Sequence, residues 1–215
     1  MAIRRELGEK RGIADSLSDL AYCAASQNAF ADSERLLNEA LEIRKEIGDI
    51  FGEGAMLTER GLIFYLSGDY QKARPDLERG LKIGKEIGSP MLIARANAGL
   101  GTLAAEDGNH DLAMDYFKRV LRENDADEAP LSMILWALLG VASIKAKDGD
   151  LLSALQMVTL ILRYPHHYIS IIEEHAQKLL SELTKQMDKN VVEDTTSATK
   201  SAILKNFIED LLAEA

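Results

Sequence analysis

At 215 residues, 47% of them hydrophobic and 28% charged, the chain can form one or two ordinary domains or a run of small repeats sharing a core. Its formal charge of −10, with no basic cluster longer than Arg4-Arg5 or Lys10-Arg11, speaks against nucleic acid or anionic membrane as partners, because counterion release needs concentrated Lys and Arg. A single cysteine excludes an internal disulfide and a thiolate metal site.

Only four prolines interrupt a chain rich in Ala, Leu, Glu, Lys and Ile. Helix is therefore the expected element throughout, and no segment alternates as a strand would. No run of about 20 apolar residues is present to span a membrane. Charges occupy the N-terminus where a signal peptide needs an apolar core, so a cytoplasmic location is expected.

Residues 1–10 read as the tail of a second helix whose beginning is absent, which predicts a piece of a longer protein. The first complete unit spans about 12–51. Leu17, Leu20, Ala21 and Ala24 give its first helix an apolar stripe, Asn28 marks a turn, and Ser33-Leu36-Leu37-Ala40-Leu41 spacing gives the second. Cys23, beside Tyr22 and Ala24, is expected as buried filler. The unit closes on Ile43-Arg44-Lys45-Glu46-Ile47-Gly48, which recurs forty residues later as Ile83-Gly84-Lys85-Glu86-Ile87-Gly88 and forty earlier as Ile3-Arg4-Arg5-Glu6-Leu7-Gly8.

Further units follow at about 52–91, 92–132 and 133–168. The small residue Ala21 becomes Gly61, Gly101 and Ala142, and the turn at Asn28 becomes Gly68, Gly108 and Gly149. Phe30, Tyr70, His110 and Leu151 come next, followed by the small Ser33, Ala73, Ala113 and Ala154. Leu37, Leu77, Phe117 and Val158 complete each second helix with Leu41, Leu81, Leu121 and Leu162. Small residues on both helices let the backbones cross closely, and one such pair cannot bury its apolar faces without a neighbour. Residues 123–128 with Pro130 read as an exposed acidic loop; a calcium loop would need a Gly and a bidentate Glu at set places.

After Pro165-His166-His167 a helix is expected over 169–187, half of a fifth pair, so that the repeat array covers 1–187. Residues 188–197 are polar and expected as a linker. A last amphipathic helix over 198–215 carries Leu204, Phe207, Ile208, Leu211 and Leu212, a stripe too apolar for water. It either caps the last repeat or docks into a partner or a second copy.

This pattern resembles the tetratricopeptide repeat, most clearly at Gly61 with Gly68-Asp69-Tyr70, Ala73 and Leu77. The unit here is 40 residues, against the usual 34. The first-helix aromatic of the motif is replaced by Leu17, Leu57, Asn97 and Leu138, and the motif's late proline is missing. The resemblance covers about residues 1–168 and implies an all-α fold, a right-handed α-α superhelix or solenoid with a C-terminal capping helix. The ending is similar to the C-termini of bacterial multidomain regulators, in which a signal-transduction ATPase or transcriptional-activator module precedes forty-residue tetratricopeptide arrays.

No phosphate loop, GxSxG elbow or HExxH pair is present, so neither catalytic residues nor metal ligands nor a cofactor are expected, and the chain reads as no enzyme. His166 and His167 face different ways on any regular element, and Trp136 is expected to pack at the start of the fourth pair. The resemblance implies a concave groove lined by first helices that receives a protein or peptide. Its positions transfer to Asp15, Ser18, Asp19 and Tyr22, then Thr58, Glu59, Leu62 and Tyr65. Arg95, Ala98 and Thr102 follow in the third unit, and Trp136, Leu139 and Ser143 in the fourth. With no ladder of Lys and Arg to clamp a carboxylate, the groove suits a mildly basic or apolar segment. Alternatives are a self-associating module that dimerises through its C-terminal helix, and a sensor of a small inducer.

Overall fold

A computed structural model describes residues 8–122, 130–164 and 170–213 of the chain. Among them are eleven helices and no strand. These are α1 (Lys10–Ser26), α2 (Phe30–Glu46), α3 (Ile50–Leu66), α4 (Tyr70–Glu86), α5 (Pro90–Glu106) and α6 (His110–Arg122). They continue with α7 (Leu131–Lys147), α8 (Leu151–Ile161), α9 (Ser170–Gln186), α10 (Lys189–Thr199) and α11 (Leu204–Ala213). The fold is all-α, with consecutive helices packed against each other as in a helical-repeat solenoid. Two compact units divide at Leu103, inside α5. The acidic stretch 123–128, the opening residues 1–7, and His166 and His167 lie outside the described residues.

In the first unit, the turn between α3 and α4 shows how each pair is made. Gly68 takes φ +80°, Asp69 N–H reaches back to the Phe64 carbonyl at 2.8 Å, and Gly68 N–H to Tyr65 at 2.9 Å. This satisfies carbonyls that the end of α3 would leave open. The Asp69 carboxylate then accepts from the Lys72 N–H and starts α4. At the first turn Asn28 replaces glycine and still adopts φ 60°, which its short polar side chain tolerates.

Close approach comes from missing side chains. A Cβ on Gly61 would lie 2.7 Å from Leu77, and one on Gly99 2.8 Å from the same side chain, so Leu77 of α4 fills a slot between α3 and α5. Gly80 faces the Thr58 methyl in the same manner, at 2.4 Å. Ion pairs lock the joints between pairs. Buried Arg44 of α2 binds Asp15 of α1 and, at 2.5 Å, Asp49, whose other oxygen caps α3 at the Gly52 N–H. Burial alone would raise the Asp49 carboxyl. The Gly52 N–H together with Arg44 and Arg11 outweighs it and holds the group below the usual range.

Cys23 is exposed, contrary to the expectation of a buried filler. The buried face of α1 runs through Ala14, Leu17, Ser18 and Ala21, and Cys23 falls two residues round the helix from Ala21.

In the second unit, α8 is the most enclosed element: Ala154, Leu155, Met157, Val158, Leu160 and Ile161 are all buried. Helices α7, α9 and α10 pack on it. On the α6 side, a Cβ on Gly140 of α7 would run into the Phe117 ring at 2.3 Å.

The segment 188–197, expected as a linker, is instead mostly helix α10. Asp188 caps it through the Asn190 N–H at 2.8 Å, and its buried residues are Thr195 and Thr199 rather than aliphatics. The Thr199 hydroxyl is satisfied within the helix, donating to the Thr195 carbonyl at 2.8 Å. The last helix begins at Leu204, later than the expected 198, and buries Leu204, Ile208 and Leu211 against its own chain, touching α6.

Candidate functional site

First helices of repeat pairs carry a polar seam in the first unit. Ser18 of α1 donates from its hydroxyl to Glu59 Oε2 of α3. Arg95 of α5 donates from Nη1 to Glu59 Oε1 at 2.8 Å. Three successive first helices are thereby tied through one carboxylate, and both Ser18 and Glu59 are buried. A carboxylate so enclosed needs both partners to offset its lost hydration.

Tyr22 stands beside this seam, one turn along from Ser18. It is 42% exposed, yet crowding around the phenol raises its pKa. The Glu59 charge raises it further, and Arg95 opposes both. The phenol therefore stays protonated and able to donate.

The other expected groove residues differ in exposure. Asp19 is exposed, and Leu62 and Tyr65 are half-buried, with Tyr65 stacked on Tyr70 at 5.7 Å between ring centroids. Thr102 and Ser143 are half-buried, and each hydroxyl donates to a carbonyl of its own helix at 2.9 Å, Ala98 for Thr102 and Leu139 for Ser143. Ser143, Leu139 and Trp136 belong to the second unit, apart from the seam.

One expectation needs correction. Thr58 faces the interior: it is fully buried, donates to the Ala55 carbonyl at 2.9 Å, and turns its methyl onto Gly80. The absence of a side chain at Gly80 was the available signal, since a helix that approaches so closely leaves the facing residue no room to reach a groove. Asp15 stays exposed while it pairs with Arg44 across α1 and α2.

Arg60, adjacent to Glu59, was not singled out in the sequence. It forms a two-pronged pair with Asp76 at 2.6 and 2.8 Å and reaches Asn38 of α2 at 2.5 Å. Its hydrogen bond to Asp76 raises its pKa, against the opposing effect of burial. Neighbouring residues of α3 thus have different duties, Glu59 among first helices and Arg60 toward second helices.

Among the described residues no group of three His, Cys, Asp or Glu side chains is placed to hold a metal ion. No described helix is long and apolar enough to cross a membrane.

No curated protein matches the chain significantly. The tetratricopeptide-repeat family matches it twice, over residues 13–47 and 53–122. Those spans hold the pairs α1–α2, α3–α4 and α5–α6, with the Gly-turn and the Leu77 slot within them. Such repeats generally mediate protein–protein interaction and are generally non-enzymatic scaffolds. Residues 13–47 and 53–122, then, are tetratricopeptide repeats.

Proposed function

We propose that α1, α3 and α5 line a groove that takes up an extended or helical segment of another protein, apolar and at most mildly basic. The tie from Ser18 through Glu59 to Arg95 supports this most directly, because it fixes the spacing of three first helices from within the chain. A surface ordered in advance loses less entropy when it binds. Tyr22, Leu62 and Tyr65 offer partly exposed apolar area beside the seam, and Asp19 supplies the unbalanced charge.

The forty-residue period and the C-terminal resemblance support placing this groove in the interaction or sensor region of a larger bacterial regulatory protein. A dimer through the last helix is disfavoured by α11 itself, which turns its Leu204–Ile208–Leu211 stripe onto its own chain.

Peptides selected from a random displayed library against the chain test the groove. The combined substitution Asp19→Ala, Tyr22→Ala and Leu62→Ala should abolish their capture and leave the circular-dichroism melt in place. Glu59 is left intact in this variant because it holds the helices together. Undiminished capture by the triple variant would refute the groove.

A further inference from the structure

Between α8, α10 and α11 the second unit leaves a cavity of about 320 Å³. Its apolar lining is formed by buried Met157 and Leu211 with half-buried Phe207. Its outer side carries Gln156 and Asp210. No described residue hydrogen-bonds or ion-pairs with the Gln156 amide or the Asp210 carboxylate; the neighbouring Lys205 pairs with Glu209 instead. Arg163 lies close in the fold but outside the cavity wall, and its Nη1 is occupied by the Thr199 and Ala202 carbonyls at 2.8 Å each.

A carboxylate and an aromatic ring on the wall of one small, partly apolar cavity make a specific chemical demand. An ammonium group satisfies both, by a charge-assisted hydrogen bond to the carboxylate and by attraction to the ring face. A short alkyl chain gains from the apolar interior. A carboxylate ligand would be repelled by Asp210, and a neutral alcohol would forgo the charge term.

We infer that this cavity binds a small aliphatic ammonium ion, with its nitrogen between Asp210 and Phe207 and its chain against Met157 and Leu211. The site goes beyond the protein-binding groove and does not rest on it. A ligand there bridges α8 and α11, so occupancy also holds the last helix down.

Titration of n-hexylammonium chloride into the isotope-labelled full chain, followed by amide chemical shifts, tests the assignment. A ligand of this size should saturate with a dissociation constant on the order of 1 mM. The shifts should be confined to the cavity wall, at residues such as Ala198, Ala202 and Leu211. Hexanol and hexanoate should bind at least about tenfold more weakly, the worth of one charge-assisted contact. Asp210→Asn, an exposed substitution, should weaken binding by a similar factor with unchanged circular dichroism. Ala198→Trp, which blocks the cavity from an exposed position, should abolish the shifts. Equal binding of hexanol, tighter binding of hexanoate, unaltered affinity in Asp210→Asn or the absence of saturable shifts would each overturn it.

Discussion

The effect of Gly99→Ala should change sign with the presence of the Leu77 side chain. The Leu77 side chain is almost fully buried, and a Cβ on Gly99 would meet its Cδ2 at 2.8 Å, its Cδ1 at 2.9 Å and its Cγ at 3.4 Å, with no other atom among the three nearest. Leu77→Ala removes those atoms and leaves a cavity, a loss of about 2–5 kcal/mol. Gly99→Ala alone gains about 1 kcal/mol of helix propensity and loses about 1–3 kcal/mol to overpacking, so it should be neutral to destabilising by about 2 kcal/mol. In the Leu77→Ala background the obstruction is gone. The same Gly99→Ala change should then stabilise by about 1–2 kcal/mol, combining propensity with a partly refilled cavity. Urea unfolding of the four variants by far-ultraviolet circular dichroism measures the cycle, given a constant denaturant slope. Additivity to within about 0.5 kcal/mol would show that the two residues do not share a slot, and the close approach of α4 to α5 would be wrong.

Asn97 occupies the position of Leu17, Leu57 and Leu138, and its buried Oδ1 has no hydrogen-bond partner among the described residues; Asn97→Leu should raise stability by about 1 kcal/mol, and a lower denaturation midpoint would contradict this. Asp49 and Asp150 both titrate below the ordinary aspartate range when folded, Asp49 by its capping contact and Arg44 against burial, Asp150 chiefly by Lys145. Their contribution is therefore full above the unfolded aspartate pKa and disappears as pH falls through the lower folded value. Asp49→Asn should accordingly flatten the acid limb of the stability–pH curve, and an unchanged acid limb would remove Asp49 from it. A double-mutant cycle with Glu59→Gln and Arg95→Leu should give a coupling of about 1 kcal/mol or more, since one partner is buried; a coupling near zero would detach α5 from the seam.

The repeat was legible because each helix pair solves the same packing problem every forty residues. Small residues at Gly61 and Gly99, the turn at Gly68 and the bulky Leu77 announce themselves by size alone. The placement of the expected groove residues was legible only in part. Period places Asp19, Tyr22 and Leu62 on one face, yet the rotation of a helix in its slot decides whether Thr58 points in or out, and that depends on which facing residue is a glycine. The tie between Ser18 and Glu59 joins residues 41 apart and Glu59 to Arg95 joins residues 36 apart, off the repeat step, so no periodic comparison aligns them. Helix α10 was hidden by composition: Val192, Thr195 and Thr199 form an inward row at helical spacing, but two of them are threonines.

The return of α11 to the flank of α6 has a consequence during synthesis. Apolar α8 leaves the ribosome roughly 50 residues before Leu211, the last buried position. At about 5–20 residues per second that interval lasts about 3–10 s. Throughout it the side of Met157 that shares a cavity with Leu211 lacks the last helix, a window in which a chaperone or another unfinished copy competes for that side.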